Sequence, residues 1–315
     1  MSVKALIRIG TRQSRLALWQ ANYVRTELQN RYPDLDIELV KIVSEGDKTL
    51  DVPLSQVGGK GLFLKELETA LVDGDIDIAV HSMKDVTVEL PEGLHIGVIC
   101  PRENPFDALV SNRFGSLGEL PEGATVGTCS LRRRSQLLAA YSHLTIQNLR
   151  GNVNTRLSKL DSGEFDAIVL AASGLMRLEL KDRIRQVISD DICLPAVGQG
   201  AIGIECRIAD NRINSLIRPL GDLSTATRVM AERQLNARLG GGCHVPVAAF
   251  AELSRNTLHL RGFVASVDGK TVLKAAGEAD PSDWKSLGDR VAQDLLRQGA
   301  DRILEDVYSN ENRPQ

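Results

Sequence analysis

From Val126 through Leu160 the chain holds no Asp or Glu, while Arg132, Arg133, Arg134, Arg150, Arg156 and Lys159 all fall there. A solvated helix face mixes signs, so cations without acids point to a ligand carrying several negative charges. Gly127-Thr128-Cys129-Ser130 stands just ahead of an amphipathic run from Leu131 to Tyr141. At a helix N-terminus it would offer free backbone N–H groups and the positive end of the helix dipole to an anion. Arg132 and Arg133 would lie in the first turn of that helix, where guanidinium forks match carboxylate or phosphate.

A second set is Val80-His81-Ser82-Met83-Lys84-Asp85-Val86, directly after a run of buried-strand type. Strand C-termini in open α/β sheets point into the ligand crevice. Asp85 among cations has two readings: an ion pair made for structure, or a carboxylate that stabilises a cationic intermediate or moves a proton. His81 reads as a positioned hydrogen-bond donor rather than a catalyst. The third set is Gly240-Gly241-Gly242-Cys243-His244. A free cysteine is ordinarily a buried hydrophobe, but three glycines leave this thiol accessible and open to reaction. Side chains of sequence neighbours seldom face each other, which argues against a Cys243–His244 dyad. Cys206, Cys243 and His244 lack zinc-ligand spacing, so no metal site is expected. Gly58-Gly59-Lys60-Gly61 has no Ser or Thr after the lysine and is not a P-loop.

The elements that must hold these residues are βα units. Leu6-Ile7-Arg8-Ile9-Gly10-Thr11-Arg12-Gln13-Ser14 followed by an amphipathic stretch from Leu16 to Leu28 reads as strand, turn and helix. Ala124-Thr-Val-Gly127-Thr128-Cys129-Ser130 followed by Leu131 to Tyr141 repeats that pattern. A further echo links Leu71-Val-Asp-Gly74-Asp-Ile-Asp77-Ile-Ala-Val80 with Leu160-Asp-Ser-Gly163-Glu-Phe-Asp166-Ala-Ile-Val169, each a helix end, a glycine stop and a buried strand. Alternating strands and helices predict parallel βα units, with two such units facing each other across a cleft. Pro101-Arg-Glu-Asn-Pro105 and Leu194-Pro-Ala-Val-Gly198-Gln-Gly200 are the expected crossings, with Ala201 to Cys206 returning as a strand. The polar, glycine-bearing stretch from Ser44 to Leu62 suits a lid. From about Leu223 the texture changes to a helix from Thr225 to Leu239, strands at Val245–Ala251, Leu258–Val264 and Lys270–Ala276, and a helix from Ser282 to Gln298. The expected domains are 1–100 with 201–218, 106–194, and a small α+β domain at 223–315.

Composition fits an ordinary globular chain of 315 residues, 43% hydrophobic and 25% charged. Its formal charge of −3 leaves no global field for nucleic acid or an anionic membrane, and aromatics at 4% leave few stacking platforms for bases. The 5 cysteines are scattered, without a Cys-x-x-Cys pair, which argues for a reducing compartment. The N-terminus lacks a signal-peptide apolar region and no stretch is long enough to span a membrane. The expectation is a cytoplasmic protein with no membrane or nucleic-acid partner. A solute-binding protein for a polyanionic metabolite would use the same cleft, but would need neither Asp85 nor Cys243.

Seven motifs occur in order: Ile9-Gly-Thr-Arg12-Gln-Ser14, Val57-Gly-Gly-Lys60-Gly-Leu-Phe63, Ala79-Val-His81-Ser-Met-Lys84-Asp85, Gly127-Thr-Cys-Ser130-Leu-Arg132-Arg133, Leu149-Arg150-Gly-Asn-Val-Asn-Thr-Arg156, Leu194-Pro-Ala-Val-Gly-Gln-Gly200 and Gly241-Gly-Cys243. Together they closely resemble the porphobilinogen deaminase family. The resemblance implies two α/β domains similar to periplasmic binding proteins, joined by a double crossing, plus a small α+β C-terminal domain. It implies a dipyrromethane cofactor in thioether linkage to Cys243, and a monomer that deaminates four porphobilinogen molecules and joins them head to tail into 1-hydroxymethylbilane. By match to the family motifs, Asp85, Arg12, Arg150 and Arg156 would be catalytic. Ser14, Lys84, Asp85, Thr128, Ser130, Arg132 and Arg133 would hold the cofactor. Arg12, Lys60, Ser82, Arg150, Arg156 and Arg177 would hold substrate. Arg15, Thr87, Cys129 and His244 depart from common family residues without removing a charged or catalytic group.

Overall fold

The computed structural model describes residues 6–44, 64–242 and 245–311. The chain opens with β1 (Leu6–Thr11), α1 (Arg15–Arg31), β2 (Asp36–Lys41), α2 (Lys65–Val72), β3 (Ile78–Ser82) and β4 (Leu94–Ile99). It continues with β5 (Asp107–Val110), β6 (Thr125–Gly127), α3 (Leu131–Ala140), β7 (Thr145–Gln147), α4 (Val153–Asp161), β8 (Ala167–Ala171), α5 (Ala172–Arg177) and β9 (Gln186–Val187). Next come β10 (Ile202–Arg207), α6 (Asn211–Ile217) and α7 (Leu223–Arg238). The last elements are β11 (Val247–Ser254), β12 (Thr257–Ala265), β13 (Val272–Ala279), α8 (Trp284–Arg297) and α9 (Ala300–Glu311).

The chain divides into two compact units, with boundaries at Glu103/Asn104, Gly200/Ala201 and Ala226/Thr227 among the described residues. The first unit is built on a five-stranded sheet in the order β2-β1-β3-β10-β4. Its core places Ile7, Ile9, Val24, Leu28, Ile78, Ile204 and Ile213 together, all fully shielded from water. The second unit holds a five-stranded sheet, β7-β6-β8-β5-β9, and a three-stranded antiparallel sheet, β11-β12-β13. Helix α8 lays Leu287, Val291 and Leu295 against Leu258, Leu260 and Val264. Glu232 is wholly buried in α7 and ties this unit together, accepting from Gly198 N–H at 2.7 Å and Ala251 N–H at 2.9 Å.

The two five-stranded sheets repeat one plan, matching the echo in the sequence. β1 and β6 are each flanked by parallel partners, β2 with β3 and β7 with β8. Asp77 and Asp166 do the same job: each carboxylate accepts from the backbone N–H of the neighbouring strand, at Arg8 and Thr125 respectively, both at 2.8 Å. Neither strand end has room for a side chain at its glycine. A Cβ at Gly10 would overlap Ile76, and one at Gly127 would press on Leu149 and Phe165 at 2.9 Å. The sheets are mixed, however, not purely parallel. β10 is antiparallel to β3 and β4, and β5 is antiparallel to β8 and β9. Both strands enter their sheets from a crossing instead of through a βα unit, which reverses their direction. The C-terminal helical stretch also breaks in two, at Gly299 with a φ of +97°, so α9 lies where no helix was expected.

Candidate functional site

In the first unit, β3 delivers Val80, His81 and Ser82 to the sheet's C-terminal end, and a short 3-10 turn, Met83–Asp85, comes next. Asp85 lines a small cavity of about 70 Å³ with Arg12, Ser14, Gln20, His81 and Ser82. Ser14 caps α1 by accepting from the Ala17 N–H at 3.2 Å, which fixes the helix N-terminus at the cavity edge. Ser82 Oγ accepts from the buried Gln20 amide at 2.7 Å. Among the described residues, no donor or cation pairs with the Asp85 carboxylate, although it is only half-exposed. That separates it from an acid placed for a structural ion pair. Lys84 is half-buried in the same turn. Lys60 lies outside the described residues, as does most of the Ser44–Leu62 stretch expected to form a lid.

In the second unit, Ser130 caps α3 by accepting from Arg133 N–H at 3.4 Å, and Thr128 Oγ1 accepts from Ser130 N–H at 3.2 Å. The strand-turn-helix expected from Ala124 to Tyr141 is formed, and it places Arg132 and Arg133 in the first helical turn. Their side chains are turned inward. They are 4% and 6% exposed and converge on Asp107, which is wholly buried. Arg133 sends Nε and Nη2 to Asp107 Oδ1 and Nη1 to the Val169 carbonyl, so its fork is fully engaged within the protein. Arg132 Nη1 reaches Asp107 Oδ2 at 2.8 Å and the Leu194 carbonyl at 2.7 Å. Burial alone would raise the Asp107 carboxyl, but the charges and hydrogen bonds of the two arginines reverse this and hold it well below the usual carboxylate range. Two guanidiniums against one carboxylate leave this buried group with a net positive charge behind the α3 N-terminus. The same surroundings push the Cys193 thiol up to about 12, through burial and then the Asp107 charge.

Arg150 and Arg156 are half-buried. Arg156 donates from Nε to the Gly151 carbonyl at 2.7 Å, and its Nη2 lies 3.9 Å from Cys129 Sγ, beside the Thr128–Ser130 turn. Arg177 is buried at the end of α5 and donates to the Gly200 carbonyl at 2.7 Å. Thr128, Ser130, Arg132, Arg133 and Arg156 are therefore gathered around one helix N-terminus. Cys243 lies outside the described residues. Nothing in the local sequence singled out Asp107. It is the acid that the acid-free stretch lacks, and it comes from β5, a strand placed just after the Pro101–Pro105 crossing and well before that stretch.

No group of three or more His, Cys, Asp and Glu is placed to hold a metal ion, and no helix is long and apolar enough to cross a membrane, among the described residues. A carboxylate kept without a cationic partner at a strand end suits chemistry that develops positive charge, while a positively charged helix N-terminus suits anions. Fold and sites together define an α/β protein with a polar cavity at one strand end and a cationic helix N-terminus in its second unit. Residues 7–215 match the family described as "Porphobilinogen deaminase, dipyromethane cofactor binding domain", and residues 226–297 match "Porphobilinogen deaminase, C-terminal domain". The chain belongs to the porphobilinogen deaminase family, whose activity is that of a transferase, hydroxymethylbilane synthase, with a dipyrromethane cofactor. Among solved structures, it is similar to a putative methionine-binding lipoprotein from Bacillus subtilis, with 13% identity over 70% of this chain and 92% of that one and a TM-score of 0.44. A nutrient binding protein from Burkholderia cenocepacia bound to methionine shares 16% identity over 67% and 90% of the two chains, with a TM-score of 0.43. A periplasmic substrate-binding protein of an ABC transporter from Coxiella burnetii shares 15% over 71% and 96%, with a TM-score of 0.44.

Proposed function

We propose that this enzyme deaminates four porphobilinogen molecules in turn and joins them head to tail on a bound dipyrromethane primer, releasing four ammonia, and that one water then cleaves the bond to the primer to free 1-hydroxymethylbilane. The observation that carries this reading is the Asp85 carboxylate, which lines a cavity with Arg12 yet has no partner among the described residues. The three-domain division, 1–100 with 201–218, 106–194 and 223–315, belongs to the same reading and is supported by three separate sheets.

The residues present fit a polycarboxylate cofactor. Ser130 and Thr128 form the α3 N-terminus, and the Arg132–Arg133–Asp107 group behind it carries more positive than negative charge. Ser14, Lys84 and the α1 N-terminus would take further carboxylates in the first unit, and Cys243 would hold the group covalently as a thioether. Once bound, a dipyrromethane supplies a nucleophilic pyrrole carbon. The chain's own residues handle charge and protons. Loss of ammonia from the aminomethyl group of porphobilinogen breaks the C–N bond, the electron pair leaving with nitrogen, and puts positive charge on the pyrrole and its methylene carbon. Asp85 stabilises that charge and takes up the proton released when the new carbon–carbon bond forms. Arg12, Arg150 and Arg156 hold the substrate's acetate and propionate and assist departure of ammonia. Lys60, Ser82 and Arg177 complete the substrate contacts in this reading. Arg177 also donates to the Gly200 carbonyl.

The test is stoichiometric. Purified protein given porphobilinogen should release one ammonia for each molecule consumed. Binding without ammonia release would reduce the chain to a polyanion-binding protein.

A further inference from the structure

Behind the Asp85 cavity lies a buried acid that the reaction above does not use. Glu205 sits on β10, wholly shielded from water, and its Oε2 lies 2.8 Å from Nε2 of His81, whose side chain is only 3% exposed. The pairing is dictated by register. Gly203 is opposite His81 and Glu205 is opposite Ala79, so Glu205 and His81 share one sheet face as diagonal neighbours. Helix α2 covers that face with Leu67 and Leu71 packed on Ala79, and it brings Glu68 close by. The Glu68 carboxyl is raised, first by its own burial and then by the charge of Glu205, with His81 opposing. The other oxygen of Glu205, Oε1, is buried and has no hydrogen-bond partner among the described residues.

A buried carboxylate with one oxygen left over is a poor choice for stability alone, because the unpaired oxygen forfeits its hydration. It makes sense as a device for fixing a neighbour. An ionised carboxylate can only accept, so against an ionised Glu205 the ring proton of His81 sits on Nε2. No described residue bonds the other ring nitrogen, Nδ1, and His81 lines the cavity that holds Asp85 and Arg12. The strand bearing Glu205 also steadies the Asp85 turn. Met83 N–H donates to the Ala201 carbonyl at 3.0 Å, and the Met83 side chain fills the space that a side chain at Gly203 would need.

Resting on the function proposed above, we propose that Glu205 is a positioning residue for the reaction. It holds the His81 ring with Nε2–H turned inward, which leaves Nδ1 as the atom that accepts a hydrogen bond from an N–H of porphobilinogen in the Asp85 cavity. This arrangement parallels the metal-free part of carboxylate–histidine pairs elsewhere, where the carboxylate sets which nitrogen is presented.

The test uses the complete enzyme labelled with ¹⁵N at histidine, the His81 signals being assigned by their loss in His81→Asn. At about pH 8, where an ordinary imidazole is neutral, His81 should show a protonated Nε2 and a bare Nδ1. The Nδ1 signal should move on addition of porphobilinogen. In Glu205→Gln the Nδ1–H tautomer should appear, and kcat should fall on the order of tenfold or more, with KM little changed. A wild-type ring protonated on Nδ1 or on both nitrogens would overturn the proposal. So would Glu205→Gln that leaves either the His81 signals or kcat as they were. Should Glu205→Gln fail to fold, the wild-type spectrum alone decides. Failure of the wild type to consume porphobilinogen would instead overturn the proposed function, leaving the spectrum to report the His81–Glu205 pairing by itself.

Discussion

Arg133 donates from both Nε and Nη2 to a single oxygen of Asp107, at 3.0 and 2.7 Å, in a setting with no water contact for the carboxylate. Asp107 is the counter-charge that lets two arginines enter the first turn of α3 without being expelled. Breaking a buried pair by removing one partner costs far more than the pair contributes, because a charge is left buried and uncompensated. Asp107→Asn should therefore lower the unfolding free energy by about 3–5 kcal/mol, read from denaturant midpoints at unchanged slope. A loss below about 1 kcal/mol, the range of an exposed pair, would show that Arg132 and Arg133 find other partners.

The same carboxyl sets a pH dependence. Its folded value lies below its unfolded value, so the stabilisation is present in full above the unfolded carboxylate range and drains away as pH falls toward the folded value. The stability gap between wild type and Asp107→Asn should hold constant across neutral pH. It should narrow only below about pH 4, where an unfolded aspartate takes up its proton. A gap that closes near neutrality would assign the titration to another group.

Asp85→Asn keeps the side chain's shape and removes its charge. Removing a preorganised group that stabilises developing charge costs on the order of 10²-fold or more in kcat. Turnover should fall by that factor in a steady-state assay, while the melting temperature stays put, because no described residue relies on this carboxylate. Near-normal turnover would return Asp85 to a passive role.

The arginines divide by burial. Arg132 and Arg133 are inside, so replacing either with leucine should destabilise the protein as well as weaken anion binding. Arg150 and Arg156 are half-exposed. Their leucine variants should keep the wild-type melting temperature and stall the growing chain at different numbers of added rings, seen as distinct bands on native gels. Equal melting temperatures for all four variants would contradict this division.

Much of this was legible in the chain because it is local. The runs Leu6–Thr11 and Ala124–Gly127, their Gly-Thr turns with a serine close behind, and the amphipathic stretches after them specify strand, cap and helix within a short window. The structure shows Ser14 and Ser130 capping α1 and α3. Asp85 was legible for a similar reason, standing just past a buried strand. What stayed hidden depends on pairing between distant segments. Asp107 meets Arg133 across 26 residues and Glu205 meets His81 across 124, each through an antiparallel strand that comes after a crossing. Local sequence carries no mark of which strand will insert there or in which direction. An acid-free stretch in sequence is consequently not acid-free in space: Asp107 reaches Arg132 and Arg133 from outside it.

The central claim, an enzyme that carries its own primer on Cys243, is tested most directly by intact mass. The purified protein should be heavier than its 34.3 kDa chain by two condensed porphobilinogen units. Cys243→Ala should lack that increment, while replacement of Cys100, Cys129, Cys193 or Cys206 should retain it. A freshly prepared protein that turns over porphobilinogen at the unmodified chain mass would contradict the claim.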